Sequence, residues 1–161
     1  AIDYAFDGDW DSANTELRKV VQVIGGSSGE ESSHKNIWDS AAESTIQAVM
    51  LTVLDIAVRH QDKSMVTISN VLQFINDMNK FTDKAGDGLT KYITNIGKLP
   101  RTPARNMIIL NAAEYLSATG DTKSSISFSV MNRLNLFASE SITRLTTFNT
   151  INLTDLGFQE C

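Results

Sequence analysis

The stretch Asn36–His60, NIWDSAAESTIQAVMLTVLDIAVRH, decides how the rest of the chain is read. Its apolar residues begin at helical spacing, with Ile37, Trp38, Ala41, Ala42, Ile46 and Val49. They then spread to nearly every face through Met50, Leu51, Val53, Leu54, Ile56, Ala57 and Val58. A helix that is apolar on most sides must be covered on most sides, because each uncovered face would leave hydrocarbon in water. At the usual rise such a helix is roughly 37 Å long, about the diameter of a small domain, so other helices can lie along several of its flanks. The stretch is therefore predicted to be a central helix over about residues 36–60. A membrane span is disfavoured: Asp39, Glu43, Gln47 and Asp55 leave no run of about 20 apolar residues. Residues 1–11 are acidic, where a secretory signal would begin basic.

Upstream, Tyr4, Phe6 and Trp10 read as an irregular lead-in that docks on the bundle. Asp9 or Asp11 caps a helix of about three turns whose apolar side is Ala13, Leu17, Val20, Val21 and Ile24. Gly25-Gly26 ends it, and residues 27–33 are too polar to pack and form a solvated loop. Ser33 is the predicted cap of the central helix, and Arg59-His60 suit its negative C-terminal pole. Downstream, Thr67 or Ser69 opens a helix carrying Val71, Leu72, Phe74, Ile75 and Met78, which frays over residues 76–80. Leu89, Tyr92, Ile93 and Ile96 mark a short helix ending at Gly97.

Thr102-Pro103 is the sharpest local signal: threonine can cap, and proline fits the first helical position, where its missing N–H is no loss. The helix it starts is predicted to close at Gly120, and Asp121 or Thr122 to open another through Ile126, Val130, Met131, Leu134 and Phe137. Ser139 to Leu145 makes a last short turn, and residues 150–157 a capped exit. Only Met65-Val66-Thr67-Ile68 resembles a strand, and beside a helix start it reads as a connector. The expectation is an all-α fold, an irregular bundle of about six or seven helices in a single domain spanning 1–161.

The net charge of -5 opposes indiscriminate binding to nucleic acid or anionic lipid, but it is unevenly spread. Residues 1–31 carry a net -5, whereas residues 80–105, with Lys80, Lys84, Lys91, Lys98, Arg101 and Arg105 against Asp83 and Asp87, carry a net +4. Lys91, Lys98, Arg101 and Arg105, around the Pro100–Pro103 break, are the candidate residues for contacting a partner protein or DNA, with Tyr92 as a possible stacking face. The competing view is that they are simply solvated. Chemistry is not indicated. Gly25-Gly26 lacks the strand and Gly-Lys-Ser/Thr of a phosphate loop, and Leu99 follows Gly97-Lys98 where a magnesium-binding hydroxyl is required. His34 and His60 lie far apart without cysteine support, and no Ser-His-Asp set or carboxylate pair is recognisable, so no catalytic residue, metal or cofactor is expected. The lone Cys161 excludes an intrachain disulfide and fits a reducing compartment. Asn152-Leu153-Thr154 matches a glycosylation acceptor by chance. The abrupt ends read as those of a piece cut from a longer protein.

Three pieces in this order carry a resemblance: a polar Gly/Ser/Glu loop leading into Ile37-Trp38-Asp39-Ser40-Ala41-Ala42, the stretch Leu134–Thr146 (LNLFASESITRLT), and Ile151–Gly157 (INLTDLG). Together they resemble the all-α domain of the coupling ATPases of type IV secretion and conjugation systems, the TraG/TraD-like family. The resemblance implies a domain inserted between the halves of a RecA-like motor, in a parent ATPase that is a homohexamer at the cytoplasmic face of the inner membrane. The implied role is substrate docking in conjugative DNA transfer, with a relaxase, the relaxosome or effector proteins as partners. The fragment itself is then a cytoplasmic monomer without membrane contact or enzymatic activity. Two other expectations stand beside it: a bundle that binds DNA non-specifically through residues 80–105, and an unrelated helical regulatory protein.

Overall fold

The computed structural model describes residues 1–25, 37–81 and 86–135, and for Ile37 and Trp38 the backbone alone. The polar loop and its Ser33 cap, Lys84, Phe137 and everything after Asn135 lie outside the described residues. Eight α-helices are present among the described residues: α1 (Ile2–Phe6), α2 (Trp10–Ile24), α3 (Ile37–His60), α4 (Ile68–Lys80), α5 (Gly88–Gly97), α6 (Pro103–Asn111), α7 (Ala113–Ser117) and α8 (Gly120–Asn135). A 3-10 turn at Lys63–Met65 follows α3, and Val66-Thr67 is the expected connector rather than a strand. The fold is all-α.

Helix α3 is the axis of the bundle. It packs against α1, α2, α4, α6, α7 and α8. Every residue from Thr45 through Asp55 is buried, so the apolar spread read from the sequence is matched by cover on all sides. By length and composition Asp39–His60 could cross a membrane, yet 78% of its most apolar window is covered by the other helices. Its buried polar groups find partners within α3 or on α2. Thr45 Oγ1 donates to the Ala41 carbonyl at 2.7 Å and Thr52 Oγ1 to the Ala48 carbonyl at 2.8 Å. Gln47 Nε2 donates to Asn14 Oδ1 at 2.6 Å, tying α3 to α2, and Asp55 pairs with Arg59 at 3.0 Å.

The helix starts follow the capping chemistry closely. Asp9, Thr67, Asp87 and Thr102 each accept a backbone N–H from the first turn of their helix, and Pro103 occupies the first turn of α6. Four expectations are corrected. Residues 2–6 are a helix, not an irregular lead-in: the Ala1 carbonyl accepts the Ala5 N–H, and Gly8, at φ 86°, turns the chain into α2. Trp10 belongs to α2 and is buried, while Tyr4 stays exposed. Helix α4 does not fray but runs to Lys80, whose ammonium pairs with Asp77 at 2.9 Å in its last turn.

The fourth correction concerns the helix opened by Thr102. It breaks at Ala112 into α6 and α7, next to Asn111, whose side-chain amide turns back to the Met107 carbonyl at 2.9 Å. A side-chain donor on that carbonyl competes with the helical ladder and bends it. Gly120 accordingly does not close this helix; with φ 53° it is the first residue of α8.

Candidate docking site at the α5–α6 corner

Helix α5 lies mainly against α4 and α6 rather than on the central helix, which places it in the outer layer. Leu89, Ile93 and Ile96 face inward and are buried, leaving the opposite side to water. Lys98 is the C-terminal cap residue of α5, Leu99-Pro100-Arg101 turns the corner, and Thr102-Pro103 restarts the chain as α6. Ile109 Cδ1 lies 3.7 Å from where a Cβ on Gly97 would stand, so the second half of α6 runs beside the end of α5.

Three of the four candidate cations meet at this corner. Lys98 Nζ donates to Asn95 Oδ1 at 3.1 Å, Arg101 Nη1 to Asn106 Oδ1 at 3.2 Å, and Arg105 Nη1 to the Pro100 carbonyl at 2.6 Å. All three acceptors are neutral. Elsewhere Lys19, Arg59, Lys63, Lys80, Lys123 and Arg133 each reach a carboxylate. Among the described residues the corner thus holds positive charge that the protein does not neutralise itself. Lys91 is not brought to it. It lies seven residues before Lys98, about 10 Å back along the helix, and its ammonium is 3.4 Å from the Phe81 carbonyl at the end of α4. Tyr92 is also unavailable for stacking: it is half-buried, packs edge-on against Phe74 (5.2 Å between centroids, 80°), and its hydroxyl engages Arg59.

Leu99 reads from the sequence as part of a chain break and Leu110, or else Ala112, as a core residue of the helix that Thr102 opens; Ala112 is the buried one, and Leu99 and Leu110 are 49% and 76% exposed. Leu99 lies in the α5–α6 junction and gives the cationic corner an apolar border, and Leu110 is exposed near the C-terminal end of α6. Two further ionic contacts were equally illegible, because they join residues far apart in the chain. Arg133 on α8 reaches Asp39 at 2.8 Å and Glu43 at 3.1 Å on α3. Lys123 on α8 reaches Asp87 at 3.2 Å and Thr90 Oγ1 at 2.7 Å at the start of α5, and its ammonium lies 4.8 Å from the centre of the Tyr115 ring. This second clasp closes one side of a cleft of about 590 Å³ that also includes Asn79, Gly86, Gly120 and Ser127.

The clasp fixes its own protonation. Burial works against the Asp87 charge, but the Thr90 N–H and hydroxyl, the Lys123 ammonium and Tyr115 outweigh it and hold the carboxyl below its usual range. Burial, reinforced by the nearby Asp87 and opposed by Ser127, pushes Tyr115 up to about 12, so it stays a neutral donor. A carboxyl depressed in the folded state contributes stability that is present above its unfolded pKa and is lost as pH falls through the folded one. Asp87→Asn, which keeps a capping side chain but removes the charge, is expected to cost about 1–2 kcal/mol at neutral pH. That cost should shrink toward zero as the pH drops below about 4. Urea titrations of both proteins across this range read the difference directly.

The described residues thus form an all-α block with an exposed cationic corner that reaches no carboxylate among them. The chain belongs to the type IV secretory system conjugative DNA transfer family, whose model matches residues 3–161. No curated protein and no solved structure matches it.

Proposed function

We propose that this chain is the substrate-docking domain of a type IV secretion coupling protein. It receives a relaxase, the relaxosome or an effector protein during conjugative transfer and performs no catalysis itself. Family membership supports the transfer context. The observation that carries the docking role is the corner formed by Lys98, Arg101 and Arg105, positive on a net acidic chain and held, among the described residues, by neutral acceptors. In the same proposal the domain is an insert in a RecA-like ATPase, and the parent is a homohexamer at the cytoplasmic face of the inner membrane. The isolated chain is a monomer that makes no membrane contact, in keeping with the burial of α3.

Titration calorimetry of the purified chain with the relaxase from the same transfer system tests this. Saturable binding is expected. No heat of binding at high micromolar concentrations, with both proteins folded, overturns the proposal. The net +4 of residues 80–105 favours a second reading, non-specific DNA binding. With only about three or four phosphate contacts it would be weak and would fall steeply with salt. A mobility shift that survives physiological salt would favour that reading over protein docking.

A further inference from the structure

We infer that the occupant of the α5–α6 corner is an acidic segment of a partner protein that carries a bulky aliphatic side chain. This deepens the docking reading and rests on it. The charge argument selects an anion. The Arg101 and Arg105 guanidiniums each spend one Nη1 bond on a neutral acceptor, Asn106 Oδ1 and the Pro100 carbonyl, and keep the rest of their five donors for a ligand. Those same bonds hold the two side chains in place beforehand, so less rotamer freedom is lost when a carboxylate arrives. Planar carboxylates match such forks with paired hydrogen bonds.

The border of the corner then selects protein over nucleic acid. Leu99, exposed between Lys98 and Arg101, and Leu110, exposed farther along α6, offer hydrocarbon that a phosphodiester backbone cannot cover. A single-strand binding groove instead interleaves its cations with open aromatic faces. The aromatic residue of α5, Tyr92, is taken up by Phe74 and Arg59. The remaining net charge also opposes a long polyanion while leaving a short acidic segment free to meet the local positive field. Cations for the carboxylates and leucines for an aliphatic anchor together describe a mixed acidic and apolar peptide.

The test pans a random peptide library against the whole chain and measures the enriched peptides by fluorescence anisotropy. The expected winners combine Asp or Glu with Leu, Ile or Met. Arg101→Glu and Arg105→Glu should each weaken them about tenfold, and the double variant Leu99→Ser, Leu110→Ser should weaken them without changing the circular dichroism spectrum. Replacing the aliphatic residue of the peptide by Ser should have a similar effect. Enrichment of basic or uncharged sequences overturns the inference, as does binding unaffected by these variants, or a single-stranded oligonucleotide competing as well as the peptide. Self-association in sedimentation that the peptide displaces also overturns it, in favour of a second copy of the chain, whose α2 exposes Val23. Relaxase binding that the peptide fails to displace would sink this inference alone and leave the docking role standing. Peptide binding without relaxase binding would do the reverse.

Discussion

Leu54→Ala is expected to destabilise the domain by about 3–5 kcal/mol, lowering its melting temperature by roughly 10 °C. Leu54 has no exposed surface and sits where α3 is covered on all sides, so its loss leaves a cavity whose walls belong to several helices that cannot all move inward. The total stability of a domain this size is about 5–15 kcal/mol, so the variant should be close to the limit of folding. Leu110→Ala supplies the comparison. Leu110 is 76% exposed, and its truncation should change stability by less than about 0.5 kcal/mol. Urea denaturation of the two variants side by side tests whether α3 is the axis. Equal costs would mean that it is not.

Gly88→Ala is expected to cost about 2–3 kcal/mol, although the usual rule points the other way. At the first turn of a helix, exchanging glycine for alanine normally stabilises by about 0.5–1 kcal/mol, because the unfolded chain loses freedom. Here a Cβ on Gly88 would overlap the carbonyl oxygen of Met78 and come within 3.1 Å of Phe81 Cβ. The oxygen belongs to backbone that already accepts the Phe81 N–H at 3.2 Å, so it cannot swing aside as a side chain could. The end of α4 and the start of α5 would have to separate, and the cationic corner lies at the other end of α5. Thermal unfolding measures the cost, and a stabilised Gly88→Ala protein would mean that the two helices do not approach so closely. Gly25→Ala is a milder case. Its new methyl meets the mobile ends of Arg133 and Glu43 at 2.6 and 2.7 Å, and these can move at the cost of their pair.

Much of the fold was legible because its signals are local. The caps at Asp9, Thr67 and Thr102 depend on a side chain reaching an N–H three residues away, a distance that sequence spacing sets directly. The centrality of α3 was legible for a related reason: an all-round apolar surface admits only one kind of environment. The break at Ala112 and the real place of Gly120 were missed because helical apolar spacing runs straight through them, while the cause is one back-turned asparagine. Of the candidate site, the sequence named the cations but not their grouping, and it placed Lys91 with the other three because seven residues separate it from Lys98 on the same helical stripe.

From the sequence alone followed the all-α class, the central helix, most of the helix starts and the positive run between residues 80 and 105, since composition, periodicity and capping act over one or two turns of chain. Only the tertiary structure decided which cations keep free donors, which leucines stay in water, and that Arg133 and Lys123 fasten α8 to helices tens of residues away. Those outcomes depend on what each side chain meets across the bundle. That meeting is fixed by how six helices close around α3, not by neighbours along the chain.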